Sequence, residues 1–240
     1  FCLIMKILII AAHPDDEILG MGGTILKHAK NGDQIRTIYL ATGITSRRGS
    51  GYENSAKYNV NNKEKDSMIK QITDLRLNTK KANALLKVKS YDFYDFPDNE
   101  MDSISLLKIV KTIENEISNF QPEKIYTTHR NDLNVDHRIT FQATITACRP
   151  GTSKVKEILS FEVPSSTEWN YPANFNPNYF VNISKELAKK LKAMACYENE
   201  SRKFPHPRST KNLESIARRW GSVSGVIAGE AFEIIRKIDS

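Results

Sequence analysis

The strongest constraint on this chain is a rhythm. Short β-rich apolar runs alternate with longer stretches of helical period, the order expected of a mostly parallel sheet with helices on both faces. KILIIAA (Lys6 to Ala12) is apolar without alternation, as in a strand buried on both faces. A helix is expected from about Glu17 to Lys30, closed by Asn31-Gly32-Asp33. IRTIYLAT (35–42), Tyr91 to Phe96, Glu123 to His129, Lys154 to Val163 and Tyr179 to Ile183 read as further strands. Further helices are expected over Met68 to Leu86, on the face Leu106, Val110, Ile113, Ile117, and from about Asp136 to Cys148. Two more follow, on Leu187, Leu191, Met194 and on Leu213, Ile216, Ala217, Trp220. Residues 231–238 suit helix or strand, 168–178 read as loop, and the Gly-, Ser- and Asn-rich stretch 43–64 reads as a long mobile loop of the kind that forms lids.

Composition bounds the class. With 240 residues, 40% hydrophobic and 26% charged, the chain is neither disordered, fibrous nor membrane-embedded. The expected organisation is one domain over 5–240, with Met5 as a natural start and residues 1–4 upstream of it. The opening run resembles a signal peptide but lacks a basic leader, is interrupted by Lys6, and ends in ionisable residues instead of a cleavage site. No apolar run approaches the ~18 residues of a membrane span. Cys2, Cys148 and Cys196 are far apart with no CxxC pair, which argues against a thiolate zinc site or a disulfide framework and for a reducing cytoplasm. Cys148 and Cys196 read as buried, inert thiols.

Chemistry concentrates at two strand ends. His13-Pro14-Asp15-Asp16-Glu17 lies where the first strand meets the first helix, the place where open α/β sheets bind ligands. Three consecutive acids need compensation; a helix N-terminus supplies part of it and a metal would supply more. Helix capping is the competing reading. The stretch Thr128 to Arg138 again follows a buried strand and opens a helix, and it carries His129, Asp132, Asp136 and His137. Two His/Asp clusters at equivalent positions can converge above the sheet on one ion, three protein ligands leaving a position for water.

HPDDE after the first strand, GMGGTI soon after it, DHR opening a later helix, FNPNYFVNIS at 175–184 and AFE at 231–233 together resemble the LmbE-like (PIG-L) N-deacetylases along nearly the whole chain. The resemblance implies a three-layer α/β/α Rossmann-like fold and a zinc-dependent hydrolase that removes N-acyl groups, usually acetyl, from glucosamine-type sugars. By position, His13, Asp16 and His137 match the zinc ligands and Asp15 the general base. Fe²⁺, Co²⁺ or Mn²⁺ also suit a His/His/Asp set. The family commonly has a second histidine three residues before the DHR histidine; here that position is Asn134, which cannot titrate. Either Asp15 moves the proton both ways or another group serves, with His129 a candidate and strand-end packing its alternative. Asp136 is expected to orient a ligand, and Asp98, at an acidic position of the family after the third strand, to touch sugar hydroxyls or to serve as a turn residue.

The remaining signals are weaker. Gly20, Gly22 and Gly23 lie inside a helix, without GxGxxG spacing, and are expected to allow close helix–sheet packing. No P-loop pattern occurs. Arg47 and Arg48 could meet a substrate phosphate or be solvated loop charges; Trp169 and Tyr171 could stack on a sugar or on their own domain. His28 reads as a helix-surface residue and His206, between Pro205 and Pro207, as structural. A net charge of +7 points to anionic partners, but no basic stripe interleaved with aromatics supports nucleic acid; a phosphate-bearing sugar would explain the same charge. The expected partner is therefore a small N-acyl amino sugar, with no nucleic acid and no membrane insertion, and with homo-oligomerisation open. A zinc amidase for a larger acyl conjugate and a catalytically silent metal- or sugar-binding protein are the competing functions.

Overall fold

A computed structural model describes residues 4–44, 46, 62–151 and 153–239, with only the backbone described for 62–65. Seven strands form one sheet in the order β3-β2-β1-β4-β5-β7-β6. They are β1 (Lys6–Ala11), β2 (Gln34–Ala41), β3 (Ser90–Phe96), β4 (Lys124–Thr128), β5 (Glu157–Phe161), β6 (Tyr179–Asn182) and β7 (Gly229–Lys237). The first five run parallel, and β7 is antiparallel to both β5 and β6. The helices are α1 (Asp16–Asn31), α2 (Asn62–Leu86), α3 (Leu106–Phe120), α4 (Val135–Ala147), α5 (Leu187–Met194) and α6 (Thr210–Ser224).

β1 shows why three layers form. Its side chains alternate faces, and both faces are apolar. Ile7 and Ile9 enter one core with Ile18, Ile25, Leu75, Leu187 and Leu213, from α1, α2, α5 and α6. Leu8 and Ile10 enter the other with Ile109, Ile113 and Ala143, from α3 and α4. The expected three-layer α/β/α fold with a mostly parallel sheet is what the chain adopts. β1 and β4 are neighbours although far apart in sequence, and the strand order reverses between them; the crevice above their carboxyl ends is the ligand position of this architecture.

α1 is broken at Met21, whose φ of −143° and ψ of 21° interrupt the helical ladder. The N–H groups freed beyond the break, those of Gly23 and Thr24, donate to the two carboxylate oxygens of buried Glu230 at 2.9 and 2.6 Å. Lys190 of α5 neutralises that carboxylate at 2.7 Å. The glycines serve the same junction. A Cβ on Gly20 would lie 2.6 Å from the Glu162 carbonyl oxygen, and one on Gly23 2.8 Å from Ile183. Helix α1 thus packs on the chain leaving β5 and β6, as the glycines suggested, and Gly22 lies against the stem of Lys190.

Several boundaries differ from expectation. α2 begins at Asn62, six residues before the expected Met68, because its first turns carry no apolar stripe: Asp66, Ser67, Ile69 and Lys70 are exposed. Most of the expected 43–64 loop, with Arg47 and Arg48, lies outside the described residues. The strand expected over 154–163 is limited to Glu157–Phe161, and 231–238 resolves into β7, whose core-facing Ala231 and Phe232 are fully or nearly fully buried. His28 is not a free surface residue: its ring sits between Asp33, 2.7 Å from Nδ1, and the Tyr126 hydroxyl, 3.0 Å from Nε2. Burial of that ring pushes its pKa down. Cys148 is buried and Cys196 half-buried, both as free thiols. No helix among the described residues is long and apolar enough to cross a membrane.

Gly20→Ala is expected to destabilise the fold by about 1–3 kcal/mol, since backbone oxygen on one side and the Phe161 ring on the other leave the methyl nowhere to go. An unchanged urea midpoint would contradict this packing.

Candidate active site

The first cluster is built by the turn from β1 into α1. Asp15 occupies the N-cap position with φ 115° and ψ −25°, and its carbonyl accepts the first helical bonds from the Ile18 and Leu19 N–H groups at 3.0 and 2.9 Å. Its side chain makes no capping bond, so capping does not account for this aspartate. A non-glycine residue in this conformation costs about 1–3 kcal/mol, and such strain concentrates at functional sites. The second cluster forms where β4 passes into α4. Asp132 Oδ1 accepts from the Asn134 N–H at 2.9 Å, and Asn134 Oδ1 accepts from the Asp136 N–H at 2.8 Å, which starts the helix with Asp136 and His137 in its first turn.

The two clusters meet. His13 Nδ1 faces His137 Nε2 at 3.2 Å, His137 Nε2 lies 3.3 Å from Asp16 Oδ2, and His13 Nδ1 lies 3.6 Å from the same oxygen. All three residues are buried. The far nitrogen of each imidazole lies beside carboxylates, although that of His137 makes no hydrogen bond among the described residues. His13 Nε2 lies 2.9 Å from Asp136 Oδ2 and 3.0 Å from Asp98 Oδ1. His137 Nδ1 lies 3.1 Å from Asp132 Oδ2. These carboxylates are themselves held: Asp136 by the Asn99 and Met101 N–H groups at 2.6 and 3.0 Å, Asp98 by the Ser46 hydroxyl at 2.6 Å, and Asp132 by the hydroxyls of Ser166 and Thr167.

This set fits a divalent cation. A neutral imidazole whose far N–H donates to a carboxylate presents a lone pair on its near nitrogen, the arrangement that orients metal-bound histidines. The three near atoms form a triangle with edges of 3.2, 3.3 and 3.6 Å, and zinc bonds of about 2.0–2.1 Å give a tetrahedron with edges of about 3.3 Å. Asp16 Oδ1 is buried with no hydrogen-bond partner among the described residues. His13, Asp98 and Asp136 also lie close enough to share an ion, but on the far side of the His13 ring, where a single N–H already serves both carboxylates.

The electrostatics mark the demand for positive charge at this point. Burial opposes a charge on either imidazole, yet Asp136, Asp16 and Asp98 hold His13 well above its ordinary range, and Asp16 and Asp132 raise His137 to about 9. Burial would raise Asp16, but His137 and His13 hold it far below the usual carboxylate range. Asp98, also opposed by burial, is lowered by His13 and Ser46 to about 2. Two carboxyls go the other way. Burial lifts Asp15 to about 7, with Arg208 partly offsetting it, and lifts Glu17 to about 8 although the Tyr39 hydroxyl donates to it at 2.7 Å.

The cluster opens on a cavity of about 110 Å³, lined by His13, Asp15, Asp98, Asn134, Glu200 and Arg208 among others. Asp98 lines this cavity while its carboxylate also meets His13 and Ser46. His129 is fully buried, with Nε2 3.1 Å from Glu233 and Nδ1 accepting from the Asn131 N–H. Trp169 packs edge-on against His206, and Tyr171 is 83% exposed. His206 accepts from the Arg208 N–H at 3.2 Å, a structural role. Arg47 lies outside the described residues. Arg208 and Glu200 also line the cavity, where sequence patterning marked neither; the only local signal is the Pro205-His206-Pro207 turn that precedes the arginine.

The model of the family PIG-L: GlcNAc-PI de-N-acetylase matches residues 8–148, which contain both clusters. The uncharacterized deacetylase YaiS of Escherichia coli is 28% identical over 181 residues, 75% of this chain and 83% of that protein. Diacetylchitobiose deacetylase of Thermococcus kodakarensis is 27% identical over 238 residues, 92% of this chain and 80% of that protein. The structure of N,N'-diacetylchitobiose deacetylase from Pyrococcus horikoshii has a TM-score of 0.73 at 22% identity, covering 97% of this chain and 84% of that one.

The stability of the metal-free protein is expected to fall from about pH 5 to about pH 9. Asp15 (3.8 to about 7), Glu17 (4.5 to about 8) and His137 (6.5 to about 9) bind protons more tightly when folded. Each therefore stabilises fully below its unfolded pKa and loses that contribution as pH rises through the folded value. Asp98 acts in the opposite sense, its contribution being lost only as pH falls toward about 2. Thermal melts with chelator check the trend, and a melting temperature that rises across this window would refute it. Added Zn²⁺ should stabilise more at pH 8 than at pH 5.5, because bound imidazoles must be unprotonated.

Proposed function

The chain belongs to the PIG-L family of deacetylases, hydrolases of carbon–nitrogen bonds, and on that premise we propose that it is a zinc-dependent N-deacetylase acting on an N-acetylated amino sugar or its conjugate. The observation that carries this reading is the triangle of His13 Nδ1, His137 Nε2 and Asp16 Oδ2, with Asp15 beside it and outside it. His13, Asp16 and His137 would hold the ion. A divalent ion there supplies Lewis acidity, lowering the pKa of water and polarising an amide carbonyl.

The other steps belong to the chain. Asp15, raised to about 7, suits proton exchange near neutrality: it takes the proton of the attacking water and returns it to the departing amine. Asn134 commits Oδ1 to the Asp136 N–H, which leaves its NH₂ group to donate a hydrogen bond to the substrate. It offers no proton to the amine, so Asp15 carries both transfers. Asp136 and Asp98 fix the tautomer of His13, and Asp132 that of His137.

The cavity supports the substrate class. At about 110 Å³ it has room for an acetyl group. Among the described residues, its lining carries the carboxylates of Asp15, Asp98 and Glu200 and one guanidinium, that of Arg208, bonded to Asp15 and Glu200. That balance favours a neutral N-acetyl sugar and its ammonium product over a phosphate lodged in this pocket.

Purified protein loaded with Zn²⁺ is expected to release acetate from N-acetylglucosamine oligomers or conjugates. Asp15→Asn should keep its metal and lose about 10²- to 10⁴-fold in kcat, while His13→Ala and His137→Ala should lose both metal and turnover. Loaded protein that binds such sugars without releasing acetate would favour the silent binding protein, and release of only longer acyl groups the larger-acyl amidase.

A further inference from the structure

We propose that Arg208 is the positioning residue of Asp15, delivered to it by two loops that also brace the opposite side of the site. The inference rests on the reading of Asp15 as the base.

Asp15 has little else to hold its side chain. Its backbone is in the left-handed region, and it makes no capping bond. Arg208 Nη1 donates to Asp15 Oδ2 at 2.8 Å. The arginine comes from the segment before α6, 193 residues away, and is itself pinned. Nε donates to Ser165 Oγ at 2.7 Å, Nη1 also lies 3.3 Å from Glu200 Oε2, and the backbone N–H donates to His206 Nδ1 at 3.2 Å. The His206 ring packs edge-on against Trp169, joining this segment to the loop after β5.

That second loop serves the other half of the site. Ser166 and Thr167, the residues after Ser165, donate their hydroxyls to Asp132, the carboxylate that orients His137. One continuous path therefore runs from His137 through Asp132, Ser166, Ser165 and Arg208 to Asp15. The path fixes the separation between a candidate ligand and the base without passing through the sheet. A planar guanidinium presents several donors in a rigid fork, so it can hold a carboxylate and two braces at once; an ammonium on a flexible stem is a single donor centre. A base displaced by about 1 Å can lose about 100-fold in rate.

The test compares Arg208→Ala and Arg208→Lys with wild type in three measurements: metal bound per chain, kcat and KM for acetate release, and the crystal structure of each metal-free variant. Arg208→Ala is expected to keep its metal, to lose about 100-fold in kcat with KM within about threefold, and to show the Asp15 carboxylate turned from its place. Millimolar guanidinium should restore part of the rate, and Arg208→Lys should fall between. Wild-type kcat in Arg208→Ala, a loss confined to KM, or an unmoved Asp15 carboxylate would each overturn the proposal. Should Arg208→Ala not fold, Arg208→Lys decides the matter: wild-type kcat with Asp15 in place refutes the assignment. If wild type itself releases no acetate from any N-acetyl sugar, the functional reading fails, and the position of Asp15 in the variant crystals still decides the role of Arg208.

Discussion

Two imidazoles face each other at 3.2 Å only because carboxylates occupy their far nitrogens. Asp136 and Asp98 take Nε2 of His13, and Asp132 takes Nδ1 of His137. These carboxylates lie beside the rings' far sides, and unprotonated imidazoles so placed would turn their near nitrogens, with Asp16, toward a bound cation. The surrounding chain is arranged to make these carboxylates tolerable. Backbone N–H groups of Asn99 and Met101 receive Asp136, Ser46 receives Asp98, and the loop after β5 receives Asp132. Such buried charges are unfavourable unless paired and hydrogen-bonded. The site thereby draws on five strand ends, those of β1 to β5, although its central residues come from two.

The same logic governs the break in α1. Gly20 and Gly23, on either side of the break, bring α1 against the chain after β5 and β6. Breaking it at Met21 leaves N–H groups without helical partners, and Glu230 supplies both acceptors with Lys190 as its counter-charge. This buried pair, Glu230 of β7 and Lys190 of α5, holds the helix that opens with Asp16 and Glu17, so the packing of its second half and the placement of the first cluster are one structural problem.

Much of this was legible in the chain. KILIIAA reads as a doubly buried strand because nothing in it after Lys6 is polar, and HPDDE and DHR stand out because acids and histidines at the ends of buried strands need a reason to be there. The choice between capping and chemistry for Asp15 was not legible, since both place aspartate at a helix start; the left-handed backbone and the absent capping bond separate them. Sequence spacing placed Asp98 after the third strand but could not say that its carboxylate meets His13 and Ser46. Glu230 and Lys190 carried no signal, because isolated charges on a short strand and a short helix look solvated until the fold buries them.

The sequence by itself determined the elements, their alternation and the residue types at the two strand ends, because periodicity and motif spacing are local properties of the chain. Only the tertiary structure decided which of those residues meet. Adjacent placement of β1 and β4 brings His13 and His137 into contact across 124 positions, and Arg208 reaches Asp15 across 193. Such contacts depend on strand order, loop path and side-chain direction, which arise from packing the whole molecule at once and leave no periodic trace in a single sequence.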